Sequence, residues 1–144
     1  VRIGEYARQS LEFTDLASAK QHLKLIYSQF GISSEEDWDQ FTKYSFVINQ
    51  KGDYVMNYDP AIVHNMRTSS NKLKDVDMWH IWNKIICKLL VIHGAKSDIL
   101  QQTTIEKMKK MKDLDLYVVD YAGHAPSLMT KDQIDYVKSW TINL

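Results

Sequence analysis

Apolar residues near the start of the chain recur at three- and four-residue intervals. Leu16, Ala19, Leu23, Ile26, Tyr27 and Phe30 share one face of a predicted helix, with Thr14 or Asp15 as its cap and Gly31 as a C′ stop. Ser33 and Glu36 stand at capping-box spacing, and Trp38, Phe41 and Tyr44 then line one face of a second helix. The pattern next changes to two β-prone runs, Phe46-Val47-Ile48 and Tyr54-Val55-Met56. The five residues between them, Asn49-Gln50-Lys51-Gly52-Asp53, predict a loose hairpin. Asp59-Pro60 predicts another helix start, with the carboxylate capping and proline at the first helical position. Thr68 to Lys74 reads as a polar connector, and Asp77 opens a short aromatic turn, Met78-Trp79-His80-Ile81-Trp82.

From Cys87 onward the pattern is different. Leu89-Leu90-Val91-Ile92 is a continuous apolar run ending at Gly94, which predicts a strand buried on both faces of a parallel sheet. Thr103 to Met111 is helical in period, Leu116-Tyr117-Val118-Val119 is a second short strand, and a turn follows around Gly123. Lys131 to Trp140 closes the chain as a helix, with Ile134 and Val137 on one side. Strand, helix and strand within about 30 residues define a βαβ unit. The fold class is therefore α/β. Residues 1–86 form a helix-rich first part, and residues 87–144 a βαβα second part.

Composition narrows the function classes. The chain has 144 residues, 44% hydrophobic and 25% charged, a globular composition. Eighteen basic and eighteen acidic residues cancel, so no nucleic-acid or anionic-membrane partner is expected. The apolar run at Leu89 is too short to span a bilayer, and the N-terminus lacks the apolar region of a signal peptide. Cys87 is the one cysteine, which excludes an internal disulfide and a CxxC site and points to a reducing, cytoplasmic setting. His22, His64, His80 and His93 show no metal-ligand spacing, so neither a metal nor a cofactor is expected. The chain begins at Val1 without an initiator methionine, through excision or because it is a piece of something longer.

Candidate chemistry lies in the two loops that leave the C-terminal strand ends, where ligands bind parallel sheets. These loops carry His93-Gly94-Ala95-Lys96-Ser97-Asp98 and Asp120-Tyr121-Ala122-Gly123-His124-Ala125-Pro126. Parallel pairing would bring Asp98 and His124 to one edge, where a carboxylate on one imidazole nitrogen leaves the other free as a general base. Each residue also has a plainer reading. Asp98 can cap the following helix, and His124 can be a turn residue beside Gly123. Asp120 reads as a solvent-facing strand end, and His80 and His93 as structural histidines. Trp38, Trp79 and Trp82 read as core or cap aromatics, or as the lining of an apolar acyl pocket. The run Lys107-Met108-Lys109-Lys110-Met111-Lys112 reads as a solvated helix face.

Taken together, Trp82 to Gly94, Ser97-Asp98-Ile99-Leu100 and Gly123-His124-Ala125-Pro126-Ser127-Leu128 resemble the C-terminal end of the α/β-hydrolase superfamily. The similarity is closest to its small esterase, lactonase and carbon–carbon-bond hydrolase branch. The resemblance implies that Asp98 is the triad acid and His124 the base. It also implies that residues 1–86 are the cap or lid region, with Tyr58-Asp59-Pro60 matching a family segment. Lys88 departs from the proline that commonly enters this strand. A larger departure is that no glycine pair brackets a serine as Gly-x-Ser-x-Gly, so the nucleophile elbow is missing. The expectation is the later portion of a serine hydrolase, split or truncated upstream of residue 1 and inactive alone. A small ester, lactone or C–C substrate would be cleaved once an N-terminal half is supplied. Two short strands leave an apolar edge unpaired, so a homodimer or docking on that missing half is expected. The alternative is a non-catalytic remnant or oligomerising interaction module.

Overall fold

A computed structural model describes residues 11–59, 61 and 76–143. They divide into two units. One holds the described residues of Val1–Tyr27 and Ser34–Val76, the other those of Ser28–Ser33 and Asp77–Leu144.

In the first unit, helix α1 spans Leu16–Ile26 and is capped by Asp15, whose side chain accepts from the Ser18 backbone N–H at 2.8 Å. The Ser18 backbone and hydroxyl bonds stabilise the ionised carboxylate and hold the Asp15 carboxyl below its usual range. Ala19 and Leu23 are fully buried. The helix stops at Ile26 rather than at Gly31, because a 3₁₀ turn, Ser28–Phe30, tightens the chain first. Helix α2, Glu35–Ser45, takes its cap from Ser34, one residue beyond the expected Ser33, through a 3.0 Å bond from Asp37 N–H. Glu35, Glu36 and Asp37 in its first turn complement the helix dipole. Its buried residues are Trp38 and Thr42, which are i and i+4, whereas Tyr44 lies off that face and is 66% exposed. Thr42 hides its hydroxyl by donating to the Trp38 carbonyl at 2.7 Å. Lys20 ties α1 to α2 through Glu35 at 2.8 Å and Asp39 at 2.6 Å, and Lys24 also pairs with Glu35. The Lys20 and Lys24 ammonium groups pull the Glu35 carboxyl down to about 2.

Both predicted β runs form. Strands β1 (Phe46–Ile48) and β2 (Tyr54–Met56) pair antiparallel with Val47 opposite Val55. The Asn49 side chain closes the loop by accepting from Lys51 N–H at 2.8 Å and Asp53 N–H at 3.0 Å, an Asx-type turn. Phe13 adds a bridge to Tyr54 through two backbone bonds of 3.0 and 2.7 Å. Asp59 accepts from Ala61 N–H at 2.8 Å. Pro60, His64 and the polar connector of residues 68–74 lie outside the described residues.

The second unit opens at Asp77, which accepts from Trp79 N–H at 2.9 Å and starts the short helix α3, Trp79–Trp82. Strands β3 (Leu90–Gly94) and β4 (Asp115–Val119) pair in parallel, with Leu90 opposite Asp115 and Gly94 opposite Val119. Helix α4 (Gln102–Met111) makes the crossover and buries Ile105, and helix α5 (Lys131–Ile142) closes the chain. The βαβ unit is therefore as expected. The burial of β3 is not: Leu90, Val91 and Ile92 are half-buried, and only His93 and Gly94 are buried. Among the described residues β3 pairs with β4 alone, so its apolar side chains have too few neighbours to be covered. On α5 the fully buried residue is Gln133, which donates to the Tyr121 hydroxyl at 2.8 Å, while Ile134 is 49% exposed. Stacking of Tyr136 on Tyr117 at 4.1 Å and a 2.7 Å bond from Trp140 Nε1 to Asp115 fasten α5 to β4. The lysine run on α4 is not wholly solvated. Lys107 sits 4.1 Å over the Trp79 ring, and Lys112 donates to the Asn83 carbonyl at 2.8 Å.

Candidate functional site

Because β3 and β4 run in parallel and end together at Gly94 and Val119, the loops after them emerge at one edge of the sheet. Backbone bonds lace these loops to each other. Ala95 N–H donates to the Val119 carbonyl and Lys96 N–H to the Ala122 carbonyl, both at 3.0 Å. Gly94 permits this approach: a Cβ there would fall 1.7 Å from the Gly123 carbonyl oxygen. Only a residue without a side chain fits.

A third strand of chain fixes the histidine loop. The Gly123 N–H donates to the Gln29 carbonyl at 2.6 Å, and the Ser127 N–H donates to the Phe30 carbonyl at 2.8 Å. His124 lies between these two anchors. The segment Ser28–Ser33 thus belongs to the site scaffold, a role that its sequence gave no sign of. Gly31, expected as a helix stop, instead has φ +76 and faces Tyr121, whose ring a Cβ would meet at 2.8 Å. Further along the same loop, Leu128 holds the left-handed backbone conformation at φ 55, a state that costs a non-glycine residue about 1–2 kcal/mol.

The residues singled out from the sequence fall as follows. His124 is exposed, and its Nδ1 lies 3.3 Å from the Ser97 hydroxyl. Asp98, the next residue along, is exposed in the same loop. The helix that follows takes Gln101 as its N-cap residue, so Asp98 does not occupy that position. Ser97 organises the turn, its Oγ accepting from Ile99 N–H at 3.3 Å and Leu100 N–H at 3.0 Å. Sequence reading had noted Ser97 only as a neighbour of Asp98. Its spacing from two following amides is the signal that identifies it as a turn-former. His93 is structural, buried with Nε2 3.0 Å from the Leu100 carbonyl. Asp120 is exposed at the end of β4. Among the described residues no group of three His, Cys, Asp or Glu is placed to hold a metal ion, and no helix is long and apolar enough to cross a membrane.

No family model matches the chain. Solved structures and one curated relative do. A candidate hydrolase from Rickettsia typhi is 54% identical, with a TM-score of 0.87 over 99% of this chain and 48% of that one. An α/β hydrolase from Novosphingobium aromaticivorans gives a TM-score of 0.81 at 24% identity, over 99% of this chain and 51% of that one. A 3-hydroxybutyrate-oligomer hydrolase of Cupriavidus necator is 26% identical over 140 residues, which are 92% of this chain. The chain spans about half the length of these proteins, 48% of the curated relative. The class is thereby defined: the chain carries the later portion of an α/β-hydrolase fold. Within that class it is a hydrolase-like segment about half the length of the proteins that resemble it.

Proposed function

We propose that this chain supplies the acid and base of a serine hydrolase, with Asp98 orienting His124 and His124 activating a serine that lies outside these residues. The observation that carries this reading is the meeting of the Ser97-Asp98 loop and the His124 loop at one edge of a parallel sheet, laced by backbone bonds. Ligands bind such sheets at this edge. A carboxylate on Nδ1 would leave Nε2 to take the serine proton and return it to the leaving group. Substrates of this chemistry are small carbonyl compounds: esters, lactones or activated C–C bonds. The C. necator relative, by name a hydrolase of 3-hydroxybutyrate oligomers, whose units are joined through hydroxyl and carboxyl groups, supports the ester class. Residues 1–86 would serve as the cap-like part and residues 87–144 as the core part. The edge of β3 that is unpaired among the described residues would pair with the segment that brings the serine, or in its absence with a second copy.

The test is complementation. The chain is mixed with the remaining half of the R. typhi relative, a fluorophosphonate probe is added, and hydrolysis of a short-chain aryl ester is followed. Labelling and turnover are expected in the mixture and not in the chain alone. Asp98→Asn and His124→Gln should each reduce turnover by orders of magnitude. Turnover unchanged in both variants would sink the reading, and so would labelling of the chain by itself. Light scattering gives the second readout: the unmixed chain should not run as a folded monomer at micromolar concentration.

A further inference from the structure

The contact between Ser97 and His124 goes beyond an acid and a base. A serine hydroxyl has one proton to donate and two lone pairs to accept with. At Ser97 both acceptor positions are engaged, by Ile99 N–H at 3.3 Å and Leu100 N–H at 3.0 Å. The third contact of the same oxygen is His124 Nδ1 at 3.3 Å, and the one group left to make it is the hydroxyl proton.

We propose that Ser97 is a positioning residue that donates to Nδ1 of His124 and so keeps the proton of the neutral ring on Nε2. That assignment follows from the hydroxyl's full acceptor capacity, since a ring nitrogen takes its role from its partner. Its consequence rests on the catalytic reading of His124 given above. With Nε2 protonated, that nitrogen cannot accept a proton from a catalytic serine. General-base chemistry requires the proton on Nδ1, where an acceptor-only carboxylate holds it. Asp98, adjacent to Ser97, carries such a group. Ser97 and Asp98 would therefore select opposite tautomers of one ring, the hydroxyl setting the resting form and the carboxylate the basic form. A histidine so held does not act on stray nucleophiles before the rest of the site is in place.

The full 144-residue chain, with nitrogen-15-labelled histidine rings, tests this without any nucleophile present. Spectra are recorded at mildly alkaline pH, and His124→Gln identifies the His124 signals. Three results are expected. The wild-type ring carries its proton on Nε2, with Nδ1 at the position of a hydrogen-bonded acceptor. In Ser97→Ala the Nδ1 resonance moves off that position. In Ser97→Thr, which keeps a hydroxyl, it stays. A wild-type ring protonated on Nδ1 overturns the proposal whatever the variants do. So does an Nδ1 resonance unmoved by Ser97→Ala, or one that moves equally in Ser97→Thr. Failure of the catalytic reading would appear elsewhere, as full turnover of His124→Gln in the complemented hydrolase, with the ring spectra unaffected.

Discussion

The two small sheets of this chain each have two strands among the described residues, yet they are specified in different ways. The hairpin β1–β2 closes over five residues, and its turn is made by one side chain, Asn49, bonded to two nearby amides. Apart from the bridge that Phe13 adds to Tyr54, what closes it is local. The parallel pair β3–β4 needs a ten-residue crossover helix, and the loop that leaves β4 is held by backbone bonds to Gln29 and Phe30 from much earlier in the chain. Even then Leu90, Val91 and Ile92 stay half-buried. The hairpin's turn is closed by its own residues. Among the described residues the parallel pair has the side chains of an interior strand without the neighbours that would cover them.

The sharpest way to break this comparison is Gly94→Ala. Its Cβ would lie 1.7 Å from the Gly123 oxygen and 2.6 Å from the Ala122 oxygen, both backbone, so the cost should exceed the roughly 1–3 kcal/mol of ordinary overpacking. Hydrogen exchange should show the β3–β4 amides losing protection while those of β1–β2 keep it. Joint loss would show that the hairpin depends on the parallel pair. Next in size are Leu23→Ala and Ile105→Ala, each removing a fully buried side chain at about 2–5 kcal/mol. Denaturant titrations followed residue by residue should assign the first loss to the hairpin's unit and the second to the parallel pair's unit. Asn49→Ala is smaller, on the order of 1 kcal/mol for each turn bond removed. It should loosen the hairpin amides and leave those of β4 unchanged.

The smallest effect is electrostatic. The Glu35 carboxyl has a folded-state value of about 2 against an ordinary 4.5, chiefly because Lys20 and then Lys24 bond to its ionised form. A depressed carboxylate contributes its stabilisation fully above 4.5 and loses it as pH falls toward 2. Acid titration should therefore weaken the α1–α2 unit over that window, and Glu35→Gln should remove this part of the dependence. The Glu35 carboxylate is exposed, so added salt should shrink the difference.

Much of the architecture was legible where residues act on their near neighbours. The hairpin strands came from β-branched and aromatic runs, the βαβ unit from the apolar strand and the helix period, and the cap of α1 from the Thr14-Asp15 pair that precedes its apolar face. Errors arose where a neighbour distant in sequence decided the outcome. Gly31 was assigned to a helix end because glycine suits that place, but its positive φ lies beyond the 3₁₀ turn, and the ring of Tyr121 also leaves no room for a Cβ. The degree of burial of β3 depends on which strands lie beside it, which its own residues do not encode. The candidate site shows the same division. Asp98 and His124 could be placed at strand ends from pattern alone, whereas the donor role of Ser97 depended on counting the bonds its oxygen already makes.

The anchoring of Gly123 and Ser127 on Gln29 and Phe30 also has a kinetic meaning. These partners are 94 and 97 residues apart along the chain, so closing that loop is an encounter of high contact order, slow beside the hairpin or a helix turn. The histidine loop should therefore be among the last parts of the chain to take shape in a refolding experiment. Pulse-labelled exchange would show its two anchored amides protected after those of β1–β2, so that chemistry at His124 would arise only in molecules whose distant parts had already met.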